Sequence, residues 1–455
     1  MDADAVTDAP TPLTRNERIA AWLLAIVVAG SRWPAVSRTL WDWDEALFAL
    51  ALRDYDVVAH HPHPPGFPLF IALAKAIASL TSLDAFHALQ CVAVLSSLFL
   101  FPAMFFLARE LRLPPFAALA ASLLLAFFPN VWFYGGTAFS DVPSLVLALL
   151  AAALLLRGRR SDGALLAGAV VLGIAAGFRP QNLLIGFVPL LLAFRHRRRT
   201  AIAGVAIVAA IIVASYATAA SLSGGWDAYR TALATHEQYI RSVDSFLSAT
   251  RPGLIQVADD FFFRPYRAPA VNVVVLLLAL LGLWKARREP LPLLIFGPFL
   301  LFAWLYLDFN SSSRFSIGYM PLFALLAASG IPSRGRTITL AATVALLIVW
   351  TAPALRIVHT TVAPPVAALG HARTLRKTIY VDERLAAHAA LLLRGDEYRV
   401  VHVAPPLVED RDAVLVREGA SAVPGARNFL RDRDRLDGIA RKRYFEVSVV
   451  PNWRP

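Results

Sequence analysis

A single cysteine, Cys91, stands among 455 residues, so no intrachain disulfide can staple this chain. It lies inside an apolar run, where it reads as a packing residue and says little about redox compartment. Charge is also scarce, at 17% of residues against 57% hydrophobic. A soluble globular chain carries about 25% charged and about 45–50% apolar residues. No tandem repeat is visible at a period of about 20–50 residues. No small-residue cleavage site follows the first apolar run, Ile19 to Gly30, so no cleavable signal peptide is expected. The composition likewise excludes a disordered or collagen-like chain.

What the sequence does have is long apolar runs, with a mean hydropathy of +0.57. Several reach about 18 residues, the length that crosses a bilayer as a helix. Spans are expected at roughly 18–36, 84–108, 116–134, 139–156, 164–178, 181–194, 200–221, 269–284, 290–307, 317–332 and 337–354. The predicted fold class is an α-helical polytopic membrane protein with about eleven transmembrane helices. Residues 1–17 form a cytoplasmic N-terminus whose first 14 residues are polar and disordered, and residues 18–359 form the membrane domain.

The basic residues set the orientation. The net charge is +12, which in a soluble protein would suggest nucleic acid. Here the cations fall in alternate short loops: Arg15 and Arg18, Arg109 and Arg112, then Arg157, Arg159 and Arg160. The series continues with RHRRR at 195–199, with Lys285, Arg287 and Arg288, and with Arg334 and Arg336. The intervening loops 135–138 and 308–316 carry none and one. This is the positive-inside pattern of cytoplasmic loops, and no nucleic-acid partner is expected. The N-terminus is then cytoplasmic, and an odd number of spans places the C-terminus outside.

Three further regions lie on the outer side. Loops 37–83 and 222–268 mix apolar, aromatic and polar residues as helices lying in a membrane interface do, though ordinary ordered loops would look similar. Residues 360–455 change character, with 16 Lys or Arg and 12 Asp or Glu after position 360. The strand-like runs TIYVD, YRVVHVA, AVLVRE and YFEVSVV alternate there with helix-like ERLAAHAALLLR and a basic stretch near 431–443. A small extracytoplasmic α/β domain is predicted.

Chemistry is expected where ionisable groups meet the apolar region, because such groups are costly to desolvate. Asp42, Asp44 and Glu45 follow the first span, Asp141 opens the fourth, and Asp308 closes the 290–307 span. Asp42 or Glu45 could also pair with Arg53 or simply face water. The segment WDWDEALFALALRDYDVVAHHPHPPGFPLF opens with a carboxylate pair at a helix N-terminus, where acids suit the dipole.

These residues resemble the GT-C glycosyltransferases, especially the polyprenol-phosphate-sugar group of protein O-mannosyltransferases and aminoarabinose transferases, family 39 and its bacterial relatives. That group places an Asp-Glu pair at the start of its first outer loop, matched by Asp44 and Glu45. A His-Pro-Pro or Lys-Pro-Pro element follows, matched by His63, Pro64 and Pro65, with Gly66 standing where the family has another residue. Asp141 in FSDVP, Arg179 and Pro180 in GFRPQNLL, and Arg314 and Pro321 in RFSIGYMPLFALLAA complete an ordered set. The resemblance covers roughly residues 18–335, and the tail after it matches no family element.

The resemblance implies an inverting glycosyltransferase of the inner membrane. It would move a hexosyl or pentosyl group from a polyprenyl-phosphate donor (undecaprenyl or decaprenyl in a bacterium) to a lipid, glycan or protein acceptor. Asp44 is the expected general base and Glu45 its catalytic neighbour or a helix cap. Asp141 would position the acceptor or share the base role. Arg179, Arg314 and His63 would stabilise the leaving phosphate, with Arg264 and Arg267 in reserve; the two leading arginines could instead be interfacial anchors. His60, His61 and His63 lack the spacing of a tetrahedral metal site, so no metal and no cofactor are predicted, a divalent cation remaining an open option. Trp41 and Trp43 could stack on a sugar, but belong more naturally to an interfacial aromatic belt. A transporter, flippase or glycan ligase is the alternative. Acids gathered at one interface, without repeated halves, argue against transport.

Overall fold

A computed structural model describes residues 9–266, 268–285, 289–402, 408–431, 436, 439 and 446–454. Residues 1–8, Arg267, Arg287, Arg288 and most of the basic stretch near 431–443 lie outside the described residues.

Every apolar segment expected to span is helical, but several are broken. The 84–108 segment is two helices, Ala85–Leu98 and Leu100–Glu110. The 116–134 segment breaks before Pro129 into Pro115–Phe127 and Pro129–Tyr134, because proline lacks the N–H that would continue the ladder. Residues 317–332 form one 3-10 turn followed by the helix Met320–Gly330. Among the described residues, two helical runs can cross a membrane by length and composition, Arg198–Leu222 and Arg336–Thr374. The pair Pro68–Leu80 and Ala85–Leu98, bent by 113°, raises that to as many as three. Shorter apolar helices, such as Asp162–Phe178, Pro269–Lys285 and Leu291–Tyr306, surround them. The eleven expected spans are therefore not eleven long helices.

The outside of the bundle is apolar. Trp22, Ile26 and Val27 on the first helix are exposed, as are Val213 on Arg198–Leu222 and Leu280 and Trp284 on Pro269–Lys285. A water-facing surface would not carry such a patch, whereas lipid accepts it. Inside, helices approach closely through small residues. Gly282 abuts the carbonyl of Leu326, and Gly330 abuts that of Leu278; a methyl group at either position would collide with backbone. The chain is an α-helical integral membrane protein.

The first outer loop folds as two helices around a turn. Trp43–Arg53 is closed at its start by a reciprocal capping pair, in which Asp42 accepts from the Asp44 N–H and Glu45 accepts from that of Asp42. The His-Pro-Pro turn then leads into Pro68–Leu80. Gly66 in that turn has φ +102°, and a Cβ there would strike the Tyr55 hydroxyl, which donates to the Gly66 carbonyl at 2.9 Å. The glycine that departs from the family pattern is thus required by this turn.

The C-terminal module contains a five-stranded mixed sheet, as the strand-like runs predicted. Its strands are β1 Thr378–Asp382, β2 Tyr398–Val401, β3 Val408–Glu418, β4 Arg427–Leu430 and β5 Glu446–Arg454, in the order β2-β1-β3-β5-β4. β1 pairs parallel with β2 and β3, while β5 pairs antiparallel with β3 and β4. β4 was not visible in the sequence, since RNFL is too short to show alternation. The helices Pro364–Thr374 and Ala386–Leu392 cover one face, burying Leu369 and Ala389 against Val381, Val416 and Val447. Ala386–Leu392 also docks on the first outer loop. Arg53 donates to the Leu391 carbonyl at 2.9 Å, so the sheet module sits over Trp43–Arg53.

Candidate active site

Asp141 and Arg179 meet because two neighbouring helices run in opposite directions. Asp141 begins the helix Asp141–Arg157, and Arg179 follows the end of Asp162–Phe178, where Pro180 prevents continuation. Each charge sits at the helix end whose dipole favours it. Arg314 arrives from the distant one-turn helix Ser312–Phe315. That turn is pinned by Asn130, whose side-chain amide donates to the Ser313 carbonyl at 2.8 Å and to Ser316 Oγ at 2.9 Å.

These side chains form one closed ion network. Arg314 Nε donates to Asp141 Oδ2 at 3.0 Å, and its Nη1 donates to Asp44 Oδ2. Arg179 Nη1 pairs with Asp141 Oδ1. Arg314 is 2% exposed and its guanidinium lies 4.1 Å from the centroid of Phe139. His63 Nδ1 stands 3.8 Å from the remaining oxygen of Asp44, Oδ1. Of the six predicted site residues, the structure gathers five: Asp44, His63, Asp141, Arg179 and Arg314.

Glu45 takes the helix-cap role that the sequence allowed it. Burial pushes its carboxyl up to about 7, and the backbone N–H groups of Ala138 and Trp41 work against that rise. Its Oε1 accepts from Ala138 N at 2.9 Å, and its Oε2 accepts from Trp41 N at 2.7 Å and Asp42 N at 3.0 Å. Both its oxygens are engaged by backbone and its side chain is 1% exposed, so it caps the helix start. The side-chain period of a helix explains this, since adjacent residues point about 100° apart. Arg264 pairs with Asp259 in an exposed position and does not line the cavity. Asp308 caps its own turn by accepting from Asn310 N at 2.8 Å.

Asp44 itself is ionised. Burial would raise its carboxyl, but His63, Arg314 and Arg179 together hold it at about 2. His63 moves the other way from a usual imidazole: burial draws it down to about 4, opposed by Asp44. Its ring is packed between Phe48 and Phe67, with centroids 5.6 and 4.9 Å away.

The network lies at the floor of a cavity of about 1870 Å³, into which Asp44, His63, Arg179 and Arg314 all project. Trp43 lines this cavity whereas Trp41 is buried elsewhere. Sequence reasoning missed two parts of the wall. His236, from the helix Trp226–Tyr239, faces His63, and the sheet module contributes Glu383, Arg384, His402, Glu418 and Glu446. No local pattern marks them, because they reach the site only through long-range packing. Among the described residues no group of three or more His, Cys, Asp or Glu side chains could hold a metal ion. The arrangement offers an ionised carboxylate beside a pair of guanidiniums, the equipment to accept a proton and to bind an anion side by side.

No protein-family model and no curated protein sequence matches the chain. Solved structures do. ArnT from Cupriavidus metallidurans, bound to undecaprenyl phosphate, superposes with a TM-score of 0.58 at 13% identity, over 96% of this chain and 98% of that one. The oligosaccharyltransferase AglB from Archaeoglobus fulgidus, in complex with an inhibitory peptide and a dolichol-phosphate, gives 0.55 at 10%, over 89% and 70%. The arabinofuranosyltransferase AftD from Mycobacteria gives 0.52 at 14%, over 99% of this chain and 41% of that one. The chain therefore has the GT-C fold that its ordered motifs predicted.

Proposed function

We propose that the chain is an inverting membrane glycosyltransferase. It moves a sugar from a polyprenyl-phosphate donor to a lipid, glycan or protein acceptor at the extracytoplasmic face of the inner membrane. The observation that carries this reading is the meeting of Asp44, Asp141, Arg179 and Arg314 at the floor of one large cavity. The fold shared with ArnT, AglB and AftD supports it.

Each residue then has a task. The phosphate of the donor lies against Arg314 and Arg179. The bonds to Asp141 and Asp44 use only two of the five N–H donors of Arg314, and guanidinium suits bidentate phosphate recognition. As the bond from the anomeric carbon to the phosphate oxygen breaks, its electron pair stays on the phosphate. These fixed cations stabilise the growing negative charge. Asp44 Oδ2 is held by Arg314, leaving Oδ1 to take the proton of the attacking hydroxyl. Asp141 keeps both arginines aimed at the phosphate. Attack opposite the leaving group inverts the anomeric centre.

The orientation rests on charge. Arg109, Arg157, Arg160, Arg195 and Arg197 gather at the helix ends remote from Asp141, which fits a cytoplasmic surface there and the cavity outside. The sheet module roofs the cavity on that outer side.

Purified protein in nanodiscs, offered a panel of radiolabelled polyprenyl-phosphate sugars, tests the proposal. Transfer or slow donor hydrolysis is expected in the wild type, reduced about 10²–10⁴-fold in a folded Asp44→Asn variant. Full activity in that variant removes Asp44 from the base role and points to Asp141. Absence of donor binding and turnover across the panel refutes the transferase reading.

A further inference from the structure

We propose that Asn130 is a positioning residue for the transfer step, setting the peptide that carries Arg314 and so aiming its guanidinium at the donor phosphate. The inference rests on the transferase reading above and extends it to a residue outside the cavity wall. Asn130 is fully buried and does not line the cavity, so it acts only through Arg314.

Arg314 needs an external hold because its own element supplies little. Ser312–Phe315 is a single helical turn of four residues, followed by the 3-10 turn Ile317–Tyr319. A lone turn fixes several dihedral angles for very few hydrogen bonds, so it is not stable by itself. Yet this turn carries a side chain that must reach two carboxylates at once, Asp141 through Nε and Asp44 through Nη1.

The hold comes from 183 positions away. The Asn130 amide nitrogen donates to the Ser313 carbonyl at 2.8 Å and to Ser316 Oγ at 2.9 Å. Ser316 Oγ donates in turn to the same carbonyl at 3.0 Å, which closes a triangle of buried groups. That carbonyl belongs to the same planar peptide unit as the Arg314 nitrogen. Gripping it therefore fixes the plane from which the Arg314 side chain departs. Ser313 has a second tether, its hydroxyl to the Ile439 carbonyl, but a hydroxyl can turn about χ1 without moving the peptide.

Asn130 is itself held in place. Its Oδ1 accepts from Val131 N at 3.0 Å, and it follows Pro129 at the start of the short helix Pro129–Tyr134. Trp132 anchors that helix separately, donating to the Ser31 carbonyl at 2.9 Å. The break that divides the 116–134 segment thus delivers a buried amide to the Arg314 turn. A guanidinium displaced from its aim keeps its charge and its pull on the donor. It loses the aligned hydrogen bonds to the negative charge that grows as the phosphate leaves. The loss then falls on the transition state and not on donor binding.

The test measures kcat and donor KM in nanodiscs, per folded protein, for wild type, Asn130→Ala, Arg314→Lys and the double variant. Asn130→Ala is expected to lose about 10–100-fold in kcat, the scale of a misplacement of about 1 Å. Its donor KM is expected to stay within about threefold of wild type, as for an interaction made only in the transition state. Placed on top of Arg314→Lys, the same substitution is expected to cost less than about threefold, because the fork it aims is already gone. Trp132→Phe loosens the same helix without touching Ser313, and its effect is expected to add to that of Arg314→Lys. Where Asn130→Ala does not fold, Ser316→Ala, which removes one corner of the triangle, carries the same comparison. Wild-type kcat in Asn130→Ala, a change in donor KM alone, or a loss fully additive with Arg314→Lys overturns the proposal. So does a Trp132→Phe effect that Arg314→Lys absorbs equally, which would make the hold a property of the whole helix. A wild type that transfers nothing sinks the transferase reading and this role with it. A wild type that transfers beside an additive Asn130→Ala sinks the role alone.

Discussion

At one end of the helical bundle, Asp44 and Asp141 meet Arg179 and Arg314, two acids against two cations, all buried but Asp44, which opens onto the cavity. At the other end the cations are in excess and mostly in contact with water. Arg197 pairs with Asp162 at 2.8 Å on the surface, and Arg160 reaches a buried acid, Glu110, at 2.6 Å. The residue types are the same, but their work differs. Charges at the remote end need only stay out of the hydrocarbon, and water does most of their solvation. At the cavity floor Asp141, Arg179 and Arg314 have lost most of that water, so each depends on its neighbours for solvation. A network of that kind is held in one geometry and responds strongly when any member changes.

Breaking the network at its hub should produce the largest contrast. Arg314→Gln leaves Asp44 and Asp141 without their shared cation. Donor turnover is expected to fall by about 10²–10³-fold, as on removal of one preorganised donor to a growing anion. Thermal unfolding in detergent should register a loss of about 3–5 kcal/mol, the range for breaking a buried pair on one side. Arg314→Lys sharpens the comparison through pH. A lysine lacks the planar fork that reaches Asp141 through Nε and Asp44 through Nη1, so burial, which raises Asp44, is less opposed. The acid limb of the turnover profile should therefore move upward from its wild-type position; an unmoved limb would mean that Arg314 does not hold Asp44 down.

Smaller effects separate adjacent residues and opposite ends. Glu45→Gln orphans a backbone N–H and should cost about 1–3 kcal/mol in unfolding experiments, while the folded fraction keeps its turnover. At the remote end, Arg197→Ala should change stability by about 0–1 kcal/mol and leave transfer untouched. A large loss of transfer from Arg197→Ala would dissolve the distinction between the two ends.

Much of the site was legible in the chain because its members sit in distinctive local settings. Asp44 and Asp141 stand out as acids beside spans, and the ordered resemblance to the GT-C group adds His63, Arg179 and Arg314; the structure brings the five together. For Glu45 the sequence offered a helix cap beside a catalytic role, and the structure shows the cap, reciprocal with Asp42 three residues before it. His236 and Glu383, Glu418 and Glu446 were invisible, since a lone histidine or glutamate on a polar helix or strand has no local mark of function.

Composition and periodicity by themselves determined that this is a helical membrane protein with a small sheet-containing tail. Burying apolar runs and solvating charged ones is a local matter that residue chemistry settles. Only the tertiary structure decided which charges meet. Arg314 lies 270 positions from Asp44 and 173 from Asp141, and no pattern in the intervening chain encodes that approach. The Asp44 carboxylate acquires its low basicity, and the sheet module its place as roof, from helix packing that brings distant segments within a few ångströms. Electrostatic energy in a dehydrated cavity depends steeply on just those separations.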